Sequence, residues 1–216
     1  MRKSSLLSVL LLGFASSASA QVWDAPTFFS PRPMDDLGVY FFKSDAPRPF
    51  DDPLGIVAIW RQSGNINLGV KAGVGDTDNA GETILVGAEL YGPLGSLLPN
   101  TGLELAWNFG AGAVFGDDYA VFSVPVGMSI GVRLGSGNVS ILPYVHPRVA
   151  LDITSVEFAG EEETETDGSF AIDLGADINL GSSLILRLGG SLGDRDAFGA
   201  GLAIRWPRGI SVGSGN

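Results

Sequence analysis

The chain has 216 residues, with 24 acidic against 13 basic residues and a formal net charge of −11. That charge disfavours nucleic acid as a partner, because a phosphate backbone would repel it. No cysteine occurs in the sequence, which excludes disulfides, thiolate chemistry and a lipid anchor attached through cysteine.

Residues 1–20 have the pattern of a secretory signal peptide. Arg2 and Lys3 form a positive start, and the apolar run from Leu6 to Ala15 is too short to span a bilayer. A small-x-small sequence then ends at Ala20, which is where such leaders are cleaved. We therefore predict that the mature chain is exported, and loss of the two basic residues makes it more acidic still.

Residues 21–36 are rich in proline and show no regular period. They are predicted to be an irregular periplasmic lead-in or plug. Beyond them no run of eighteen apolar residues remains that would form a membrane helix. Apolar residues instead recur at every second position, which is the pattern of β-strands. Ten strands are predicted, at about 37–43, 54–61, 66–75, 83–91, 103–115, 120–134, 139–154, 170–180, 184–193 and 197–206.

The stretch from Leu103 to Leu134 indicates what kind of strands these are. One face carries large apolar side chains such as Trp107, Phe109 and Phe122, and the other carries mostly Gly, Ala and Ser. The water-facing side of a soluble β-domain usually carries larger polar residues. Small residues with single charges are instead typical of the crowded polar lumen of a membrane barrel, whose outer face meets lipid.

The predicted fold is therefore an all-β, antiparallel, up-and-down transmembrane β-barrel of about ten strands over residues 37–206, with residues 207–216 as a C-terminal tail. Two alternatives remain open. The barrel would have eight strands if the first two segments lay outside the sheet. The chain would be a soluble exported β-domain if the apolar face were an ordinary core.

The connections between strands fall into two classes. Counted from a periplasmic N-terminus, most even-to-odd turns are short and uncharged, whereas every odd-to-even connection contains Asp or Glu. Short periplasmic turns and charged external loops are what outer-membrane barrels show. The external loop 155–168 contains the acidic run 161–167. We predict that this run is mobile and solvated, and that divalent cations bind there loosely if at all.

Aromatic residues gather near both predicted ends of the strands, as interfacial girdles require. The predicted periplasmic girdle contains Trp60, Tyr91, Trp107 and Trp206, and the external girdle contains Phe115, Tyr119, Phe122, Phe170 and Phe198.

Over residues 37–206 the chain resembles the small outer-membrane β-barrel proteins of double-membraned bacteria. This is a resemblance of pattern to a broad class and not to one family. It implies residence in the outer membrane, contact with its lipids and insertion by the barrel assembly machinery. One departure is that Trp206 is followed by ten further residues, so the terminal aromatic signal of such proteins is displaced.

A set of charged and polar residues is predicted to face the lumen. If the lumen is closed, these charges should pair, because unpaired charges in a confined space are costly; if it is open, they would line a channel. Inward glycines such as Gly127 and Gly175 either leave a narrow pore or relieve crowding, and a ten-stranded barrel favours the latter. The set is Arg61, Lys71, Glu89, Glu104, Arg133, Tyr144, His146, Arg148, Asp152, Asp173, Asp177, Arg187 and Arg205.

His146 is the only histidine, and it shares a strand face with Tyr144, Arg148 and Asp152. This favours, as an alternative, a barrel hydrolase with His146 as its base. No neighbouring pattern supplies the paired carboxylate and nucleophile that such a site needs. We therefore predict no catalytic residue, metal or cofactor. The predicted function is a structural membrane-spanning protein or a narrow passive pore, and not an enzyme.

Overall fold

The computed structural model describes residues 25–32, 35–45, 53–64, 67–77, 81–94, 102–117, 119–135, 138–158, 161–194 and 196–205. No helix among them is long and apolar enough to cross a membrane. Regular structure consists of ten strands: β1 (Asp36–Asp45), β2 (Leu54–Gln62), β3 (Asn67–Thr77), β4 (Gly81–Pro93), β5 (Leu103–Phe115), β6 (Tyr119–Val132), β7 (Val139–Phe158), β8 (Glu161–Leu180), β9 (Leu184–Gly193) and β10 (Asp196–Arg205).

The ten strands form one closed barrel. Each strand pairs antiparallel with its neighbour in sequence, and β1 pairs with β10 to close the sheet. The prediction of an all-β, antiparallel, up-and-down barrel with ten strands is therefore confirmed. The eight-stranded alternative is wrong, because β1 and β2 both belong to the sheet.

The strand boundaries follow the alternating pattern closely. β5 and β9 begin and end where they were predicted. The turn before β9 contains Gly181 with φ of 72°, a left-handed conformation that glycine adopts without strain. We call the end of the barrel at which β1 begins the lower rim, and the opposite end the upper rim.

The β7–β8 hairpin differs from the prediction. The acidic run 161–167 was expected to be a mobile loop, but β8 begins at Glu161 and pairs with β7 along its whole length. Pairing of β7 with β6 reaches Val156, whereas pairing of β8 with β9 starts only at Ala171, so the hairpin extends past its neighbours at the upper rim. Repulsion does not prevent pairing, because the carboxylates of Glu163 and Glu165 are exposed to solvent, where charges are screened.

The distribution of polarity is the reverse of that in a water-soluble barrel. His146 and Asp177 are fully buried in the interior. The outer face carries apolar side chains from every strand, and some, such as Phe41 at 61% and Phe198 at 65%, are largely exposed. The prediction that the apolar face of the strands lies on the outside is therefore confirmed.

Candidate functional site

Among the described residues, the polar lumen contains three groups of paired charges. The first, which we call the Glu89 group, joins β2, β3 and β4. Glu89 pairs through Oε1 with Arg61 Nε at 2.9 Å and through Oε2 with Lys71 Nζ at 2.8 Å, and all three side chains are buried. Gly69 leaves room for this carboxylate, because a Cβ at that position would lie 2.7 Å from Glu89 Cγ.

The second group, the Asp173 group, joins β7 and β8. His146 lies directly opposite Asp173 in the sheet, and its Nδ1 is 3.3 Å from Asp173 Oδ2. Arg148 Nε also lies 3.3 Å from Asp173 Oδ2, and its Nη2 donates to Ser191 Oγ at 3.3 Å. On the other side of the imidazole, Nε2 is 3.0 Å from Asn108 Oδ1.

The third group, the Arg187 group, joins β8, β9 and β1. Arg187 pairs through Nε with Asp177 Oδ1 at 3.0 Å and through Nη2 with Asp36 Oδ2 at 2.6 Å. Its remaining nitrogen, Nη1, donates to Tyr40 Oη at 2.7 Å. One guanidinium therefore links three strands, including β1, which pairs with β10 to close the barrel.

An irregular segment, residues 25–32, occupies the lumen between these groups; we call it the plug. Thr27 is its central polar contact. Its amide and its hydroxyl both donate to Asp173 Oδ2, at 3.1 and 2.6 Å, and Oγ1 lies 3.0 Å from His146 Nδ1. Arg61 Nη2 donates to the Thr27 carbonyl at 3.2 Å. The plug thus bridges the Glu89 group and the Asp173 group.

Aromatic contacts hold the plug on either side of Thr27. Phe28 stacks on Tyr40 with ring centroids 4.4 Å apart. Phe29 packs edge-on against Tyr91 at 5.8 Å and lies beneath the Arg61 guanidinium at 5.6 Å. The segment before β1 was predicted to be either a periplasmic lead-in or a plug. Its described part, residues 25–32, lies in the lumen as a plug.

Glycines in the wall give the plug its space. A Cβ at Gly189 would lie 3.0 Å from Pro26 Cβ, one at Gly199 would lie 2.7 Å from Phe28 Cζ, and one at Gly131 would lie 2.9 Å from Pro31 Cγ. Such distances are shorter than ordinary carbon contacts. Inward glycines here relieve crowding, which is the structural interpretation favoured from the sequence.

The geometry around His146 does not match a hydrolytic relay. In such relays one ring nitrogen bonds the carboxylate and the other bonds the nucleophile. Here Thr27 Oγ1 and Asp173 Oδ2 both lie against Nδ1, whereas Nε2 faces Asn108. The imidazole is also fully buried beneath the plug. These contacts of His146 with Thr27, Asp173 and Asn108 fit a structural role, in which the imidazole joins the plug to the wall by hydrogen bonds.

Most of the predicted lumen residues lie inside the barrel. Glu104 and Arg205 lie at the lower rim and are half-buried; Glu104 is 3.7 Å from Arg32 of the plug. Arg133 needs correction: it is exposed, because β6 ends one residue earlier at Val132. The residues buried in the lumen are Arg61, Lys71, Glu89, Tyr144, His146, Arg148, Asp152, Asp173, Asp177 and Arg187.

The predicted aromatic girdles need two corrections. Tyr91 is 2% exposed and faces the lumen, since it alternates in step with the inward Glu89. Tyr119 packs against the buried apolar cluster of the lumen. Trp206 lies outside the described residues. The others lie on the outer face, with Trp60 half-buried and Trp107, Phe115, Phe122, Phe170 and Phe198 exposed.

Several residues of this site were not predicted. Asp36 and Tyr40 alternate along β1 and face inward. The first strand was expected to begin after Asp36, and the residues within it, including Tyr40, had not been assigned to a face. Asn108 was recognisable only as a polar residue on the small-residue face. Thr27 lies in an irregular segment, and its partner Asp173 is 146 residues away, so no local pattern indicates the contact.

Comparison with known proteins finds no matching family model and no matching curated protein. Among solved structures, the chain is similar to Neisserial surface protein A, with 11% identity and a TM-score of 0.37, over 79% of this chain and 95% of that one. It is also similar to the N-terminal β-barrel domain of Pseudomonas aeruginosa OprF, with 13% identity and a TM-score of 0.37, over 81% and 100%. A third is the KdgM porin, with 7% identity and a TM-score of 0.38, over 80% and 99%. At these values the likenesses carry no inference about function.

The close approach of β10 to β1 leads to a first prediction. A Cβ at Gly201 would meet the Val39 carbonyl and would lie 2.6 Å from Tyr40 Cα. Because these are backbone atoms, no side-chain rotation relieves the clash. Gly201→Ala should lower the free energy of unfolding by about 1–3 kcal/mol, the usual cost of overpacking, as measured by urea unfolding in lipid vesicles. Gly190→Ala is the control, since its Cβ would meet nothing closer than 3.4 Å.

Proposed function

We propose that the chain is an integral protein of a bacterial outer membrane, which crosses the bilayer as a closed barrel and has a structural role there. The observation that carries this proposal is the reversed polarity of the barrel. Its outer face presents apolar side chains from all ten strands, and its interior holds paired charges. Lipid is the environment in which such an outer face is favourable.

The orientation follows from the two rims. The lower rim carries the turns after even-numbered strands and faces the periplasm, and the upper rim carries the acidic β7–β8 hairpin to the outside. Trp60 and Trp107 lie at the lower interface. Phe115 and Phe122, packed edge-on at 6.0 Å, lie at the upper one, where interfacial aromatics are favoured. Outer-membrane lipids and the barrel assembly machinery are the proposed partners.

The plug lies across the lumen, which favours the structural role over the passive pore. The plug fills the middle of the lumen through Thr27 and Phe29. Closer to the upper rim, Ala25 packs with the inward side chains of Val57, Leu85 and Val121. These contacts place the plug across the path that a solute would take through the lumen.

Membrane fractionation tests the location. The chain, expressed with its leader, should be recovered with the outer membrane and should migrate differently in detergent gels before and after boiling. Recovery as a detergent-free soluble protein with no such shift would contradict the proposal. Planar bilayers should then show no steady conductance for the unmodified protein, and a continuous open current would favour the passive pore instead.

Placing a charge on the outer face tests whether that face is surrounded by lipid or by water. Leu174 lies at mid-strand in β8, is 49% exposed and is flanked by Val145 and Gly190. Leu174→Arg should lower the free energy of unfolding in vesicles by about 2–4 kcal/mol, as for arginine near the bilayer midplane. The matched control is Thr164→Arg on the projecting hairpin, which should change it by less than about 0.5 kcal/mol. Equal, small effects would indicate water at both positions.

A further inference from the structure

The charges of the lumen wall are paired with one another and not with the plug. The Glu89 group, the Asp173 group and the Arg187 group each draw their ion pairs from strand residues alone. Residues 25–31 of the plug are Ala, Pro, Thr, Phe, Phe, Ser and Pro, with no charged side chain. Withdrawal of residues 25–31 would therefore break none of the ion pairs that join the described residues inside the barrel, which is the costly loss in a buried network.

The contacts that do hold the plug are neutral or easily replaced by water. The hydrogen bonds of Thr27 go to the ionised groups of Asp173 and Arg61, and water substitutes well at such groups. The plug adds no strand to the sheet, so its departure would leave the barrel's ladder of hydrogen bonds intact. Within the part of the chain that the structure describes, the plug makes one ion pair, between Arg32 and Glu104, which lies at the lower rim and is partly exposed.

The backbone of the plug is strained at Phe28. This residue has φ of 49°, in the left-handed region that costs free energy for any residue with a large side chain. Such conformations persist only where the surroundings hold them, and they concentrate in clamps and switch segments. Here the stack on Tyr40 holds it, and release from this stack would relieve the strain.

A vacated lumen would be lined by paired charges at mid-height, with an apolar collar of Val57, Leu85, Val114 and Val121 near the upper rim. We propose that the plug is displaceable and that the barrel then acts as a narrow conduit for small inorganic ions. Both signs of charge line it, so selectivity between anions and cations should be weak. This inference rests on the proposed membrane location and adds to it a second, open state.

A disulfide lock tests the inference, because the chain has no native cysteine. The lock is Pro26→Cys with Gly189→Cys: their Cβ atoms would be 3.0 Å apart, about 0.8 Å less than the ~3.8 Å mean of a disulfide, so a small outward shift of the plug backbone brings the two sulfurs into bonding geometry. It is combined with Thr27→Ala and Phe28→Ala, which remove the hydroxyl contacts and the stack. Single-channel recording in planar lipid bilayers then compares this protein oxidised and reduced. The control is Thr164→Ala, on the projecting hairpin, in a protein whose plug is unchanged.

The reduced protein should show discrete current steps, and oxidation should abolish them. The control should behave like the unmodified protein, with rare or no steps. Absence of steps in the reduced protein, or steps that persist in a protein whose disulfide has formed, would overturn the inference. Gel migration before and after boiling is measured on every variant. A folded, membrane-inserted barrel that never conducts refutes only the displaceable plug, whereas loss of membrane recovery in the unmodified protein refutes the membrane role.

Discussion

Replacement of Arg187 by Met is expected to lower the free energy of unfolding by about 3–5 kcal/mol, the usual cost of breaking a buried ion pair from one side. Arg187 is 1% exposed and bonds Asp36, Asp177 and Tyr40 simultaneously. Methionine fills similar volume but leaves two carboxylates in the interior without this cation. The effect should extend to the closure of the barrel, because Asp36 and Tyr40 belong to β1. Urea unfolding in lipid vesicles, followed by tryptophan fluorescence, measures the change.

Arg133→Met is the matched control for the same chemical change. Arg133 is exposed beyond the end of β6, so its loss should alter the free energy of unfolding by less than about 0.5 kcal/mol. A second variant, Arg187→Met with Asp177→Asn, removes one carboxylate along with the cation and should recover part of the stability. Equal effects at Arg187 and Arg133 would contradict the description of the lumen as a closed, paired interior.

Alternation along the strands was enough to predict the barrel. His146, Arg148 and Asp152 recur at even positions of β7, and all three are buried. The same rule, applied consistently, would have placed Tyr91 inside with Glu89. It failed for Arg133 because alternation says nothing about where a strand ends. A pattern of period two therefore predicts which side of the sheet each strand residue faces. It does not predict the surroundings of residues at the rims, where the strands end.

The partners within the lumen could not be predicted in the same way. His146 opposes Asp173 only in the register that β7 and β8 adopt, and the sequence between them suggested a long acidic loop. The carboxylates of that run remain in water, so charge repulsion is too weak to decide between a loop and a strand. The contacts of the plug are harder still to predict, because Thr27 binds partners that are 119 and 146 residues away in the sequence.

Loss of the Glu89 carboxylate should have an effect of similar size to that of the Arg187 change. Glu89→Gln keeps the shape of the side chain but removes the charge that lies within 3 Å of Arg61 and Lys71. Two cations would then share a buried site without it. We expect the free energy of unfolding in vesicles to fall by about 3–5 kcal/mol. Because Arg61 also donates to the Thr27 carbonyl, the plug should be held less firmly as well.

Two companion variants separate charge from shape. Glu104→Gln removes the partner of Arg32 at the lower rim, where the 3.7 Å pair is partly exposed, and should cost less than about 1 kcal/mol. Glu89→Gln combined with Lys71→Met restores the net charge of the Glu89 group, so it should be more stable than Glu89→Gln alone. If the double variant were instead less stable, lost packing and not unpaired charge would explain the effect. The ion pairs of the wall join strand residues to one another, so the plug can leave the lumen without breaking them. The Glu89 variants therefore test the stability of the barrel and the retention of the plug together.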